Sequence, residues 1–381
     1  MSKRDFKHQF RSPGSPVTQR VRLLQAIHLD GPLIGGLLLL ISGGLFVLYS
    51  ASGENMDTVS RQAIRLVAGF AAMMLLAQIP PSTYKRWTPV LYCLGVLLLI
   101  GVLVTGTQAK GAQRWLAIPG LPRFQPSEIM KLVVPMMVAW YLADRALPPA
   151  WKPVVTSAIL MMIPTALIAK QPDLGTSLLI ASSGFIVLFL AGLRWRLIGG
   201  LAIAAAPAGT ALWFVMHDYQ RERVLTFLNP ERDPWGSGWN IIQSKTAIGS
   251  GGFEGKGWLN GTQAHLDFLP ESSTDFIIAV LAEEFGFVGV CLLLVLYLAI
   301  IGRGAYIASQ AQDTYSRLLA GSITLTFFVY VFVNIGMVSG LLPVVGVPLP
   351  LISYGGTSIV TLLAGFGILM SIHTHRKLVS K

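Results

Sequence analysis

Long apolar runs recur along almost the whole chain, and no other feature limits its fold so severely. Ten such segments stand out, at 32–50, 63–79, 89–105, 127–143, 154–169, 174–193, 197–215, 276–302, 318–342 and 351–372. Each is near or above the roughly 17 residues that a helix needs to cross hydrocarbon. Only 12% of residues are charged, half the share of about 25% usual in soluble domains, and mean hydropathy is +0.62. The expected fold class is therefore an all-α polytopic membrane protein with ten transmembrane helices. One large extracytoplasmic loop, 216–275, lies between the seventh and eighth. Residues 1–27 read as a basic cytoplasmic tail and 28–381 as a single membrane domain.

The net charge of +11 raises nucleic-acid binding, but its distribution argues against that. Lys3, Arg4, Lys7, Arg11, Arg20 and Arg22 crowd the N-terminal tail, and Arg376, Lys377 and Lys381 the other end. Basic residues flanking apolar spans orient them and attract anionic lipid. With ten spans, Lys85/Arg86, Arg145/Lys152, Arg194/Arg196 and Arg303/Arg317 all fall in cytoplasmic loops, as do both termini. The first apolar run, backed by further spans, is expected to be retained rather than cleaved.

Two outer segments break this charge rule. The segment 107–124 carries Lys110, Arg114 and Arg123, and 217–275 carries Arg221, Arg223, Arg232, Lys245 and Lys256. Long loops translocate regardless of charge, which accounts for the second. The first is either a topological exception or a place for an external anionic ligand.

Chemistry-bearing residues gather at this same outer level. Glu128 and Lys131 sit three apart on the fourth helix, either as an internal ion pair or as the wall of a polar cavity. Asp173 follows Pro172 and is placed to cap the sixth helix or to face that cavity. Arg221 and Arg223 form either a solvated charge run or a grip for a pyrophosphate. The glycine cluster of Gly249, Gly251, Gly252, Gly255 and Gly257 lacks the Walker pattern, so nucleotide binding is rejected. Three prolines in 343–356 predict a break or re-entrant stretch. Asp267, Glu271 and Asp275 crowd the boundary of the eighth span, and Asp275 is either a helix-start residue or a working group. Cys93 and Cys291 lie in apolar runs and read as packing; no HExxH, CxxC or Ser/His/Asp order appears, and His373 and His375 belong to the basic end.

The runs RFQPSEIMK (123–131), QPDLGTS (171–177), HDYQRERV (217–224), IIQSKTAIGSGG (241–252), HLDFLPESSTDF (265–276) and PVVGVPLPLISYGG (343–356) resemble those of the SEDS proteins. These are the bacterial shape, elongation, division and sporulation polytopic proteins, and the wording is nearer their rod-elongation branch than their division branch. Thr357 departs from a position where Ser is frequent.

The resemblance implies a glycosyltransferase that polymerises lipid II into peptidoglycan during elongation. It acts in the bacterial inner membrane with its active site on the periplasmic side. Asp275 is then the catalytic carboxylate, with Glu128, Lys131 and Asp173 as further functional residues. Arg221, Arg223, Lys245 and Arg123 are added as cations for the substrate's phosphates. Expected partners are a class B penicillin-binding transpeptidase and the membrane proteins of the elongation complex. A divalent cation (Mg or Mn) is open, although no ligand cluster is visible. Ten spans with buried charge also suit a flippase for lipid-linked precursors, which would place its charges at the midplane instead.

Overall fold

The structure, a computed structural model, describes residues 27–109, 112–116, 124–216, 218–230, 237–262, 269 and 271–376. The described chain is helical almost throughout. Its helices are α1 (Gly31–Ala51), α2 (Met56–Ala77), α3 (Pro81–Thr105), α4 (Pro126–Ala143), α5 (Trp151–Lys170), α6 (Leu174–Leu190), α7 (Trp195–Val215), α8 (Asp218–Leu228), α9 (Ser237–Gly251), α10 (Ile277–Ser309), α11 (Thr314–Val338) and α12 (Thr357–Thr374). A short antiparallel ribbon, β1 (Thr107–Ala109) with β2 (Ala112–Trp115), departs from the all-helical expectation.

Helices α1, α2, α3, α5, α10, α11 and α12 are long and apolar enough to cross a membrane, and α6 is a shorter apolar helix. The bundle also turns apolar residues outward. Val104 is 75% exposed and Leu292 71%, an arrangement that suits lipid rather than water. This is a multi-pass membrane protein. Its centre is α4, largely buried and packed against α3, α5, α6 and α11. Helix α12 packs closely along α2, where a Cβ on Gly367 would lie 2.5 Å from the Met73 carbonyl.

All ten apolar segments lie on helices, but several boundaries differ from expectation. Helix α2 begins at Met56 instead of residue 63, because Asn55 caps it through the Thr58 N–H at 3.1 Å. Helix α3 begins at Pro81 and runs through Pro89, which the hydropathy pattern places at the start. Pro81 suits a first helical position, where no N–H is needed, and the polar first two turns hide this start from hydropathy. The last helix begins at Thr357 rather than residue 351, since 343–356 is irregular. The loop after α7 contains two short helices, α8 and α9. Ser244 of α9 donates to the Val338 carbonyl at 2.9 Å, fastening it to the end of α11.

Helix α10 is broken at Gly286, whose backbone (φ 62°, ψ −160°) is not helical. The break frees carbonyls on one side and N–H groups on the other, which hydrocarbon does not tolerate unpaired. The glycine-rich stretch after α9 supplies the partners. Lys256 N and Gly257 N donate to the carbonyls of Glu283 and Glu284, while Phe287 N and Val288 N donate to those of Gly252 and Phe253. Such contact requires glycine: a Cβ on Gly255 would lie 2.2 Å from the Glu284 carbonyl. The stretch whose glycines mimic a phosphate loop is thus a backbone clasp on a broken helix.

Away from the Gly286 break, Asp30 caps α1 through the Leu33 N–H and pairs with Arg303 near the far end of α10 at 2.6 Å. His373 of α12 lies 3.3 Å from the same carboxylate. Burial pushes the Asp30 carboxyl up, but the hydrogen bonds and charges of Arg303, Leu33 and His373 outweigh it and hold it below its ordinary value.

Candidate functional site

Helix α4 presents Glu128 and Lys131 because Pro126 fixes its first turn and Gln125 ends the preceding strand-like segment. The two side chains meet at 2.6 Å, both nearly buried, and the Lys131 ammonium lies 5.3 Å from the centroid of the Tyr330 ring on α11. One Glu128 oxygen is buried without a hydrogen-bond partner among the described residues. Asp173 does both things the sequence allows. One oxygen caps α6 through the Thr176 N–H at 3.2 Å; the other accepts from Gln125 at 3.1 Å.

Arg114 of β2 reaches the α5–α6 turn. Its guanidinium lies 3.7 Å from Asp173 and donates to the carbonyls of Gln171 and Pro172. The positive charge at Arg114 thus has a protein partner as well as a place in the site.

These side chains share one cavity of about 250 Å³, lined by Arg114, Gln125, Glu128, Lys131, Asp173 and Tyr330, and on the opposite wall by residues of 346–359. That wall is irregular chain whose backbone polar groups are taken up by side chains from three helices. Gln62 of α2 donates to the Ser353 carbonyl and accepts from Gly355 N; Tyr297 of α10 donates to the Pro350 carbonyl at 2.7 Å; Asn334 of α11 donates to the Val347 carbonyl at 2.7 Å. Arg65 adds a bond to the Gly355 carbonyl and stacks over Tyr354. Buried backbone away from water must be satisfied in this way.

Asp275 comes to the same wall from the turn before α10. That helix starts at Ile277, with Phe276 rather than Asp275 at its N-cap. Its carboxyl lies beside Gly346, where a Cβ would stand 3.5 Å from Oδ2. Gly346 lines the cavity and has φ +72°. Three braces hold the turn: Ser272 donates to the Ala51 carbonyl, Tyr354 N to the Ser273 carbonyl, and Asn334 to the Asp275 carbonyl.

Arg221 and Lys245 do not line this cavity. Arg221 is turned to the carbonyls of Trp213 and Phe214 at the end of α7. Lys245 lies against Gly340 beyond α11 and is exposed. Arg123, the Arg223 side chain and Asp267 lie outside the described residues, and Glu271 sits in an exposed turn bonded to Thr274. Arg114, Gln125, Tyr330 and Asn334 belong to the site without having been singled out individually. Arg114 left a trace in the sequence as charge on a segment that breaks the expected charge rule, and Gln125 as part of the run RFQPSEIMK. Among the described residues no group of three or more His, Cys, Asp or Glu could hold a metal.

A family model described as cell cycle protein, covering FtsW, RodA and SpoVE, matches residues 27–378. Peptidoglycan glycosyltransferase MrdB of Escherichia coli (strain K12) is 54% identical over 356 residues, covering 93% of this chain and 96% of that one. The probable peptidoglycan glycosyltransferase FtsW of Trichlorobacter lovleyi is 38% identical, covering 89% and 91%. Among solved structures, a chain of a peptidoglycan synthase complex aligns with TM-score 0.81 at 33% identity, covering 92% and 99%. The rod shape determining protein RodA of Thermus thermophilus aligns with TM-score 0.68 at 29% identity, covering 91% and 98%.

Proposed function

The chain belongs to the FtsW/RodA/SpoVE family of SEDS proteins, and from that membership we infer that it is a peptidoglycan glycosyltransferase polymerising lipid II during cell elongation. The observation that carries the site assignment is the Asp275 carboxyl against Gly346, on the wall of a cavity that also holds Lys131 and Arg114. A carboxylate beside the wall of a space that holds two cations suits what this reaction asks for.

Lipid II carries its sugar on an α-linked undecaprenyl pyrophosphate, which is also the leaving group. A β-1,4 bond forms when the acceptor's 4-hydroxyl attacks from the opposite face, with inversion. The C–O bond to the pyrophosphate breaks as the new one forms. Asp275 takes the hydroxyl proton as general base, a contribution of about 10²–10⁴-fold, or roughly 3–5 kcal/mol. One carboxylate suffices, in contrast to the pairs that hydrolyse glycosides. Lys131 and Arg114 are the cations placed to meet charge developing on the pyrophosphate. Arg221, being engaged at the end of α7, has less support in that role. The cavity carboxylates Glu128 and Asp173 are already paired with Lys131 and Arg114, so this donor set does not fit a resident divalent cation.

We read the ten apolar helices as ten crossings with both termini in the cytoplasm. The cavity then opens to the periplasm, and the end with Asp30, Arg303 and His373 faces the cytoplasm. The alternation of basic loops supports this. The partner is a class B penicillin-binding transpeptidase, as the likeness to a chain of a peptidoglycan synthase complex supports.

The test is polymerisation of lipid II in detergent by the purified protein with its transpeptidase. Glycan strands form with the native chain and none with Asp275→Asn, which still binds the partner. An Asp275→Asn chain of native activity removes the base assignment.

A further inference from the structure

We propose that Asn334 is a positioning residue for Asp275, setting the distance between that carboxylate and the cavity wall. The proposal rests on the reading of Asp275 as the general base. Asn334 lies on α11 about one turn before its end and is fully buried. Its amide nitrogen donates to two backbone carbonyls from segments far apart in the chain: Asp275 at 2.9 Å and Val347 at 2.7 Å. Both N–H bonds are thereby used, and the choice of nitrogen over oxygen follows, because two carbonyls can be met only by donors.

The two carbonyls bracket the site. Asp275 carries the carboxylate, and Val347 is next to Gly346, where an added Cβ would stand 3.5 Å from that carboxylate. Asn334 is therefore a cross-brace between the turn that supplies the base and the strip of wall it stands against. The other braces on the turn, at Ser272 and Ser273, act three and two residues upstream. Asn334 holds the Asp275 peptide itself. It also sits on α11, which presents Tyr330 beside Lys131 about one turn earlier. One helix thus fixes the base and touches the cation opposite.

Satisfying two buried carbonyls would be reason enough for an asparagine here. A purely structural brace, however, leaves the chemistry of the folded enzyme unchanged when it is weakened. A positioning brace lowers turnover, because a reacting group misplaced by about 1 Å costs up to ~100-fold.

The experiment measures lipid II polymerisation by the full-length protein with its transpeptidase partner, at varied lipid II concentration. It compares the native chain with Asn334→Ala and with Asn334→Ser, which keeps one donor. The expected result is a kcat lower by about 10- to 100-fold for Asn334→Ala, an intermediate loss for Asn334→Ser, and KM within about twofold of native. If Asn334→Ala does not fold, Asn334→Ser carries the test. Native kcat per folded molecule in the variant that folds overturns the proposal, as does a loss confined to KM. Asp275→Glu, which shifts the carboxylate by one methylene, gives the second arm. Adding Asn334→Ala or Asn334→Ser to it should change kcat by less than about twofold, and a full multiplicative loss overturns the proposal. Native activity of Asp275→Asn would instead remove the reading beneath it, whereas an inactive Asp275→Asn beside a fully active Asn334→Ala removes this proposal alone.

Discussion

Asp275 and Glu283 stand at the two ends of one short helical segment, 277–285, the first just before it and the second near the Gly286 break. Glu283 is fully buried, and its carboxylate accepts from Lys256 at 2.6 Å and from the Thr262 N–H and hydroxyl at 2.9 Å each. Every one of these donors comes from the loop that clasps the break. Asp275 is only half-buried, stands just before the helix's N-cap residue, and has its carboxyl beside Gly346 of the cavity wall. Residue type and neighbourhood along the chain are nearly the same. What separates them is setting: Glu283 is enclosed by donors of the clasping loop, whereas Asp275 stands beside the cavity wall.

Exchanging the two phenotypes is the sharpest way to break this contrast. Asp275→Asn should lower polymerisation by about 10²–10⁴-fold while the melting temperature of the purified protein stays native. Gly286→Ala should act in the opposite sense. Its Cβ would stand 2.4 Å from Gly255 N and 2.6 Å from the Phe253 carbonyl, at φ +62°. A cost of roughly 3 kcal/mol or more is expected, read as a lower melting temperature and faster proteolysis in the 252–257 loop. Glu283→Gln keeps the shape and loses the charge that Lys256 answers; about 2 kcal/mol of stability should go, with kcat of the folded fraction preserved. A Glu283→Gln chain of native stability and lost turnover would reverse the assignment of the two groups.

The smallest effect extends the comparison to a third carboxylate. Asp30 is held below its ordinary pKa by Arg303 and its other partners against the opposing effect of burial. Its contribution is therefore present above the unfolded value and lost as pH falls through the lower folded one. Asp30→Asn should cost about 1 kcal/mol at pH 7. The gap in melting temperature between variant and native should persist down to about pH 4 and close below it.

Much of the fold was legible. Apolar length marked the membrane helices, Asp173 and Pro126 marked two helix starts, and three prolines marked 343–356 as irregular. The pairing of Glu128 with Lys131 could be read from helical spacing, since it needs only local geometry. The break at Gly286 could not. A lone glycine in an apolar run is common, and its partners lie about thirty residues earlier in a loop whose glycines have several readings. The braces Gln62, Tyr297 and Asn334 were hidden for a similar reason: each is one polar residue in a span, and its purpose lies in carbonyls remote in sequence. Arg221 shows the converse, a motif that suits phosphate and instead closes the end of its own helix pair.

The break in α10 also settles a question of length. As one rod, its 33 residues would measure about 50 Å, well beyond the ~30 Å of hydrocarbon in a bilayer. Such an excess is ordinarily relieved by tilting the helix or thickening the lipid around it. Here the chain changes direction instead. The portion from 287 to 309 is about 34 Å long and matches the membrane on its own. A straight continuation would have lifted residue 275 about 15 Å further out along the axis. Bending therefore leaves residue 275 closer to the end of the 287–309 portion than a straight helix would.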